Sequence, residues 1–125
     1  MNNEATIFSR HYCVFFEKSI TSLQMENLLR EFMLSIGRTL SRYGIILGHI
    51  KLLAKLSELA VDHYLFLSLT TLDNVNVIPS RCWHNVNGVS IGCIELDVNV
   101  LVFGYTINEV EVQVDGALKK LGRGR

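Results

Sequence analysis

Residues 89–103 read VSIGCIELDVNVLVF, and this stretch decides the fold of the chain. From Ile94 onward apolar and polar residues alternate, which is typical of a strand with one buried and one exposed face. Gly92 allows a break into two strands, and Gly104-Tyr105 predicts the turn that ends the stretch. The apolar positions are Ile94, Leu96, Val98, Val100 and Val102, and the polar positions are Glu95, Asp97 and Asn99. The stretch therefore predicts a long strand in a sheet that is covered on one side.

A helix is predicted directly after this strand. Thr106 and Glu109 have the spacing of a capping box, in which each side chain accepts a hydrogen bond from the other residue's backbone. Lys119 and Lys120 near the C-terminal end suit the helix dipole, and Gly122 is a typical stop. The predicted buried stripe is Val110, Val114, Ala117, Leu118 and Leu121.

A second, longer helix is predicted over residues 20–43. Thr21 and Gln24 form another capping-box pattern, and Gly44 stands where the helix should stop. Gly37 lies inside the apolar stripe, where a glycine indicates close backbone packing. The stripe consists of Met25, Leu28, Leu29, Phe32, Met33, Ile36 and Leu40.

Four further strands are predicted from β-branched and aromatic content or from alternating polarity. They are residues 11–17, 45–53, 64–70 and 75–78. Residues 1–9 are interpreted as a short polar lead before the first strand. Residues 45–56 are ambiguous, because residues 51–60 also fit a helix. The strand is preferred because of Gly44 and the isoleucine-rich start of the segment. As a strand, this segment has a face formed by Ile46, Gly48, Ile50, Leu52 and Ala54.

The predicted element order is β-α-β-β-(β)-β-α, in a single α+β domain that spans residues 1–125. The fold class is a two-layer sandwich. Its antiparallel or mixed sheet has four to five strands, with two helices packed on one face. The opposite face is then left without a cover from the predicted helices.

That opposite face is expected to be mixed in chemistry. Its polar set is His49, Lys51, Tyr64, Phe66, Ser68, Thr70, Glu95, Asp97 and Asn99. If their strands are neighbours, Lys51 can form a cross-strand ion pair with Glu95 or Asp97. A face that mixes aromatics with charges favours docking onto another subunit over plain solvation. The predicted interface residues are Tyr64, Phe66, Leu47 and Leu53.

Charge and hydropathy limit the partners. Twelve basic and twelve acidic residues leave no net field to attract nucleic acid or anionic lipid. The chain lacks the ~20 uninterrupted apolar residues of a membrane span, and its start lacks the pattern of a signal peptide. Its mean hydropathy of +0.27 is high for a small domain, which suggests apolar surface in contact with a second copy. We expect a homo-oligomer, with no nucleic acid or membrane as partner.

The cysteines bear on the compartment. Cys13, Cys82 and Cys93 are odd in number and do not have the spacing of a disulfide framework. Reduced thiols in the cytoplasm are the simplest account.

The same residues raise the question of a metal. His11-x-Cys13 and Cys82-x-His84 offer side chains that suit zinc. Further ligand types are Cys93 and His63. A zinc site would be centred on Cys82 and His84, and the alternative is no cofactor, with strand cysteines as buried filler.

A ligand site is the other candidate. His49 and Lys51 follow Gly48, and a histidine base beside a lysine could bind a carboxylate or phosphate. No nucleophile is placed to complete a mechanism, so the sequence leaves open whether the chain is an enzyme. Trp83 is either a stacking residue for a ligand or a cover for the sheet edge. The motifs of P-loops, dinucleotide folds, serine hydrolases and zinc proteases are absent.

Residues 97–104, DVNVLVFG, and then Ile107-Asn108-Glu109-Val110 resemble the end of the alkaline-shock-protein family of domains. There too a Val-rich strand runs into a glycine turn and an acidic-capped helix. The resemblance covers residues 89–121 and implies no chemistry. No proline precedes Glu109, and the middle strands and residues 82–84 depart from the pattern. The chain is therefore not assigned to that family.

Two functions are consistent with these patterns. The first is a homo-oligomeric binding or accessory module that uses the sheet face or an edge strand as its contact surface. The alternative is a small enzyme or ligand-binding protein, with a site at a subunit boundary near His49, Lys51 and residues 79–88. A zinc-dependent fold using Cys82 and His84 is a third possibility.

Overall fold

A computed structural model describes residues 4–56, 63–72, 74–86 and 88–122 of the chain. Over these residues it contains five strands, two α-helices and one short 3₁₀ helix. In chain order they are β1 (Ala5–Ile20), α1 (Ser22–Leu40), β2 (Ile45–Lys55), β3 (Tyr64–Thr71), β4 (Val75–Pro79), the 3₁₀ helix (Trp83–Val86), β5 (Ile91–Phe103) and α2 (Ile107–Gly122). The predicted α+β class and element order are confirmed, and residues 45–55 form a strand.

The five strands form one sheet in the order β1-β5-β2-β3-β4, and every neighbouring pair is antiparallel. β5 therefore lies between β1 and β2, which run in the same direction. Helix α1 connects these two parallel strands by crossing over one face of the sheet. β5 is therefore paired along both edges, and its regular alternation reflects a sheet that is covered on one face only.

Both helices cover the same face. The inward residues of β5, from Ile94 to Val102, are at most 1% exposed and pack with the apolar stripes of α1 and α2. A Cβ atom at Gly37 would lie 2.6 Å from Cδ2 of Leu69, so the glycine allows α1 to lie close to β3. The close packing predicted at Gly37 is therefore present, but the neighbouring atoms are side-chain atoms of Leu69, Ile46 and Leu72 and not a backbone. Arg10 of β1 forms an ion pair with Glu111 of α2, on the side where α2 lies over β1.

The helix starts have the predicted caps. Thr21 Oγ1 accepts from the Gln24 backbone at 3.2 Å, and Gln24 Oε1 accepts from the Thr21 backbone at 2.9 Å. The same reciprocal bonds join Thr106 and Glu109 at 3.2 and 2.8 Å. The predicted end of α1 was too late, because the helix ends at Leu40 and the chain turns before β2.

The N-terminal strand is longer than predicted. Residues 1–9 were interpreted as a polar lead, but β1 begins at Ala5, which pairs with Phe103. Phe8 is 2% exposed and belongs to the core. The interpretation was wrong because it overlooked the high strand propensity of Thr6, Ile7 and Phe8, which pair with the C-terminal half of β5. Residues 1–3 lie outside the described part of the chain.

Candidate functional site

The candidate site is the open face, defined as the side of the sheet opposite the two helices. Alternation along each strand and the pairing registers bring its residues together. They are Ile7, Ser9, His11, Cys13 and Phe15 of β1; Cys93, Glu95, Asp97, Asn99, Leu101 and Phe103 of β5; His49, Lys51, Leu53 and Lys55 of β2; Tyr64, Phe66, Ser68 and Thr70 of β3; and Asn76 and Ile78 of β4. No helix or strand among the described residues lies over this face.

The open face contains all of the predicted polar set and most of the predicted interface residues. Leu53 lies opposite Phe66, and Phe66 lies opposite Ile78, so three apolar side chains run side by side across three strands. We call Leu53, Phe66 and Ile78 the apolar row. Tyr64 lies next to this row, and Leu47 is exposed near the start of β2. Ile78 was not predicted, because only the pairing of β3 with β4 places it here.

Four ionisable side chains lie beside the apolar row, and we call them the charged group: His11, Lys55, Glu95 and Asp97. His11 Nδ1 is 2.7 Å from Asp97 Oδ1, and His11 Nε2 is 3.3 Å from Glu95 Oε1. Lys55 Nζ is 3.6 Å from Asp97 Oδ2. The ion pair predicted between Lys51 and Glu95 or Asp97 is wrong, because Lys55 and not Lys51 contacts the Asp97 carboxylate. The register places Lys51 opposite Asn99 and Lys55 opposite Glu95.

The carboxylate of Asp97 is held in its charged form. The hydrogen bond from His11 lowers the pKa of Asp97 below its ordinary value, and the nearby charge of Lys55 acts in the same direction. Partial burial opposes this effect but is the smaller influence. Asp97 is therefore a hydrogen-bond acceptor for the imidazole at neutral pH.

Three metal-ligand types meet at the same place. Ligand atoms of His11, Cys13 and Glu95 all lie within 4.8 Å of one another, and we call these residues the ligand cluster. The sequence indicated His11-x-Cys13 as one of two candidate pairs but missed Glu95. The signal for Glu95 is tertiary, because Cys13 and Glu95 lie directly opposite each other only once β1 pairs with β5.

The preferred metal pair, Cys82 and His84, is described only in part. Cys82 is half-buried in the turn before the 3₁₀ helix. The side chain of His84 lies outside what the structure describes. The predicted zinc site at Cys82 and His84 thus remains a sequence-based prediction.

The predicted ligand group is divided along the sheet. Ser80 N donates to Tyr64 O at 2.9 Å, so the segment after β4 begins at the Lys55 end of β2. His49 lies six residues before Lys55, a distance of about 20 Å along a strand. One chain therefore does not bring His49 and Lys51 together with residues 79–88.

The surroundings of Gly48, Trp83 and His49 also differ from those expected of a ligand site. The backbone beside Gly48 is occupied by β5, because a Cβ there would lie 1.8 Å from Leu101 O. Trp83 is 6% exposed and packs in the core, which agrees with a covering role and offers no open ring for stacking. His49 Nδ1 is buried without a hydrogen-bond partner among the described residues.

A cleft of 290 Å³ lies between the C-terminal end of α1 and the start of α2. It is lined by Thr39, Leu40, Tyr105, Asn108, Glu109, Val112 and Gln113. Glu109 is the one acidic group in this lining, and its carboxylate already accepts the hydrogen bond that caps α2. The other titratable group in the lining is Tyr105, whose hydroxyl donates a hydrogen bond to Thr39 O at 3.5 Å. Both groups are therefore already used within the fold, and the cleft offers no unengaged acid–base pair.

Neither α-helix of the described chain has the length and apolar character to span a bilayer. No protein-family model, curated protein or solved structure matches the sequence or the fold.

Proposed function

We propose that this protein is a binding module that forms a homo-oligomer, with the open face of one copy docked on that of another. The observation that carries the proposal is the apolar row on a face opposite to both helices. Leu53, Phe66 and Ile78 lie next to one another on three adjacent strands. Apolar side chains grouped in this way gain more from a partner surface than the same residues scattered singly.

Other exposed residues extend the apolar character of this face. Phe15 is 72% exposed and Ile7 is 68% exposed, both on β1. Phe103 and Tyr64 add partly exposed aromatic rings at two other places. Aromatic anchors mixed with polar groups are typical of protein interfaces.

The area of the open face suits a second copy. Five strands about 4.8 Å apart, each about eight residues long at about 3.3 Å per residue, cover roughly 600 Å². Two such faces would bury roughly 1,200 Å² in total, which is the lower limit for a stable interface.

The charges also favour a copy of the same chain. Glu95 and Asp97 lie together on β5, whereas Lys51 forms no ion pair among the described residues. A two-fold axis through the face can bring Lys51 of each copy towards the carboxylates of the other. Such a contact uses the same patch twice, as closed dimers do.

The test is the molar mass of the full chain in solution, measured by size-exclusion chromatography with light scattering at micromolar concentration. We expect a dimer or a higher closed oligomer for the natural sequence. Ile78→Lys and Phe66→Lys each place a charge in the apolar row and should shift the protein to monomer. Leu23→Lys is the matched control, because Leu23 is 65% exposed on α1, away from the open face.

Two outcomes would overturn the proposal. A monomeric natural chain removes self-association altogether. An oligomer that persists in both open-face variants points instead to pairing through the outer edge of β1, a strand of 16 residues whose only strand neighbour in the described chain is β5.

The proposed compartment is the cytoplasm. All three cysteines lie among the described residues, and no disulfide joins them. A reducing compartment keeps such thiols in this state. The proposal is checked by fractionating cells that express the tagged chain, and recovery in an oxidising compartment would contradict it.

A further inference from the structure

We propose that the ligand cluster, His11, Cys13 and Glu95, binds a zinc ion at the boundary of β1 and β5. This site goes beyond the proposed function and does not depend on it, because a single chain supplies all three ligands. It rests on the spacing of the ligand atoms, on the hydrogen bond that His11 donates to Asp97 and on the rigidity of the strands.

The spacing of the ligand atoms is close to what zinc requires. Ligands bound at about 2.0–2.3 Å in a tetrahedron are about 3.3–3.6 Å from one another. His11 Nε2 is 3.3 Å from Glu95 Oε1 and 4.0 Å from Cys13 Sγ. Cys13 is exposed, so rotation of its side chain can bring the sulfur closer without disturbing the core.

Asp97 orients the imidazole for this role. The charged carboxylate can only accept a hydrogen bond, so the 2.7 Å contact places the proton on Nδ1 of His11. In the neutral imidazole, the form that binds a metal, the lone pair of Nε2 then points towards Cys13 and Glu95. A carboxylate behind a metal-binding histidine is the usual supporting arrangement in zinc sites. Lys55 contacts the other oxygen of Asp97 and so does not enter the ligand cluster.

The backbone holds the ligands without a flexible loop. His11 and Cys13 alternate onto the same face of β1, and their partners on β5 are Asp97 and Glu95. Both strands are continuously paired here, which preorganises the cluster. In the single chain a metal ion can reach the cluster from solvent, because the His11 and Glu95 side chains are 48% and 33% exposed.

The donor set selects the class of metal. A thiolate with an imidazole favours zinc or a similar transition metal over magnesium and calcium, which prefer oxygen ligands. Three protein ligands leave a fourth position for water or for a donor from another molecule.

The experiment uses the full, metal-free chain with reduced thiols. Calorimetry with Zn²⁺ should give one ion per chain, and Mg²⁺ should not compete. Co²⁺ should give the visible absorption of a tetrahedral site together with a thiolate-to-metal charge-transfer band. That band reports a cysteine ligand directly, whatever the oligomeric state.

Variants assign the ligands. Cys13→Ser should abolish the charge-transfer band and weaken Zn²⁺ binding at least tenfold, whereas Cys82→Ser and Cys93→Ser should leave both unchanged. Glu95→Gln is the second ligand variant and retains the thiol, in case Cys13→Ser does not fold. Asp97→Asn should weaken binding by about 10–100-fold while keeping the band.

Two results would overturn the inference. Absence of stoichiometric Zn²⁺ binding at micromolar concentration excludes the site. Loss of binding in Cys82→Ser but not in Cys13→Ser places the ion elsewhere. The Ile78→Lys variant separates zinc binding from self-association, because it should become monomeric and still give the Co²⁺ spectrum.

Discussion

Gly48 has a backbone conformation that a residue with a side chain would not tolerate at this point of the sheet. Its φ of 138° lies in the region that favours glycine. Its Cα faces the carbonyl of Leu101, and an added Cβ would lie 1.8 Å from that oxygen. The glycine therefore allows β2 to approach β5 closely, and this approach sets the position of His49 and the open-face residues after it.

We expect Gly48→Ala to lower the free energy of unfolding by at least about 2 kcal/mol, because strain and a backbone clash act together. Urea denaturation followed by circular dichroism measures the change. Gly116→Ala is the matched control. Gly116 lies in α2 with no atom within 4 Å of an added Cβ, so this change should stabilise the helix by up to about 1 kcal/mol. Equal effects of the two substitutions would contradict the role given to Gly48.

At the scale of elements, each α-helix begins after a threonine whose side chain and backbone N–H both form capping hydrogen bonds. Thr21 and Thr106 each cap the free backbone N–H groups of the first turn. These caps mark where strand or turn changes to helix. They also fix where α1 leaves β1, and hence how α1 crosses to β2.

Thr21→Ala should cost about 1 kcal/mol of stability, because it removes the hydroxyl that satisfies the Gln24 backbone. Thr21→Ser keeps the hydroxyl and should retain most of that stability. Urea unfolding midpoints of the two variants, compared with the natural chain, give the answer. If serine fails to rescue, the loss comes from the missing methyl group and not from the cap.

On the scale of the whole molecule, the sandwich has two layers and one uncovered side. The helices bury one face of the sheet, and the other presents the apolar row and the charged group together. A second copy on this side would complete the burial of the sheet. Stability would then depend on association as well as on folding.

The unfolding midpoint of the natural chain should therefore rise with protein concentration. A tenfold increase should stabilise a dimer by about 1.4 kcal/mol per mole of dimer, because only the folded chain associates. Thermal or urea unfolding at several concentrations tests this. In Ile78→Lys the dependence should disappear, and a natural chain without any concentration dependence would argue against the dimer.

Most of the fold could be predicted because its signals are local. Strand faces follow from a period of two residues, as in β5, and the helix starts at Thr21 and Thr106 follow from spacings of three. Less of the candidate site was predictable. The choice of Lys51 for the ion pair and the omission of Glu95 from the metal candidates both concern which residues lie opposite one another on different strands.

The sequence by itself determined most of the strands and helices and which side of each is buried, because hydrophobic periodicity and capping act within a few residues. Only the tertiary structure decided the strand order β1-β5-β2-β3-β4 and its registers. These depend on contacts between residues far apart in the chain, such as Cys13 with Glu95 and Lys55 with Asp97. Such contacts form only when the whole sheet packs under its two helices, so no local pattern encodes them.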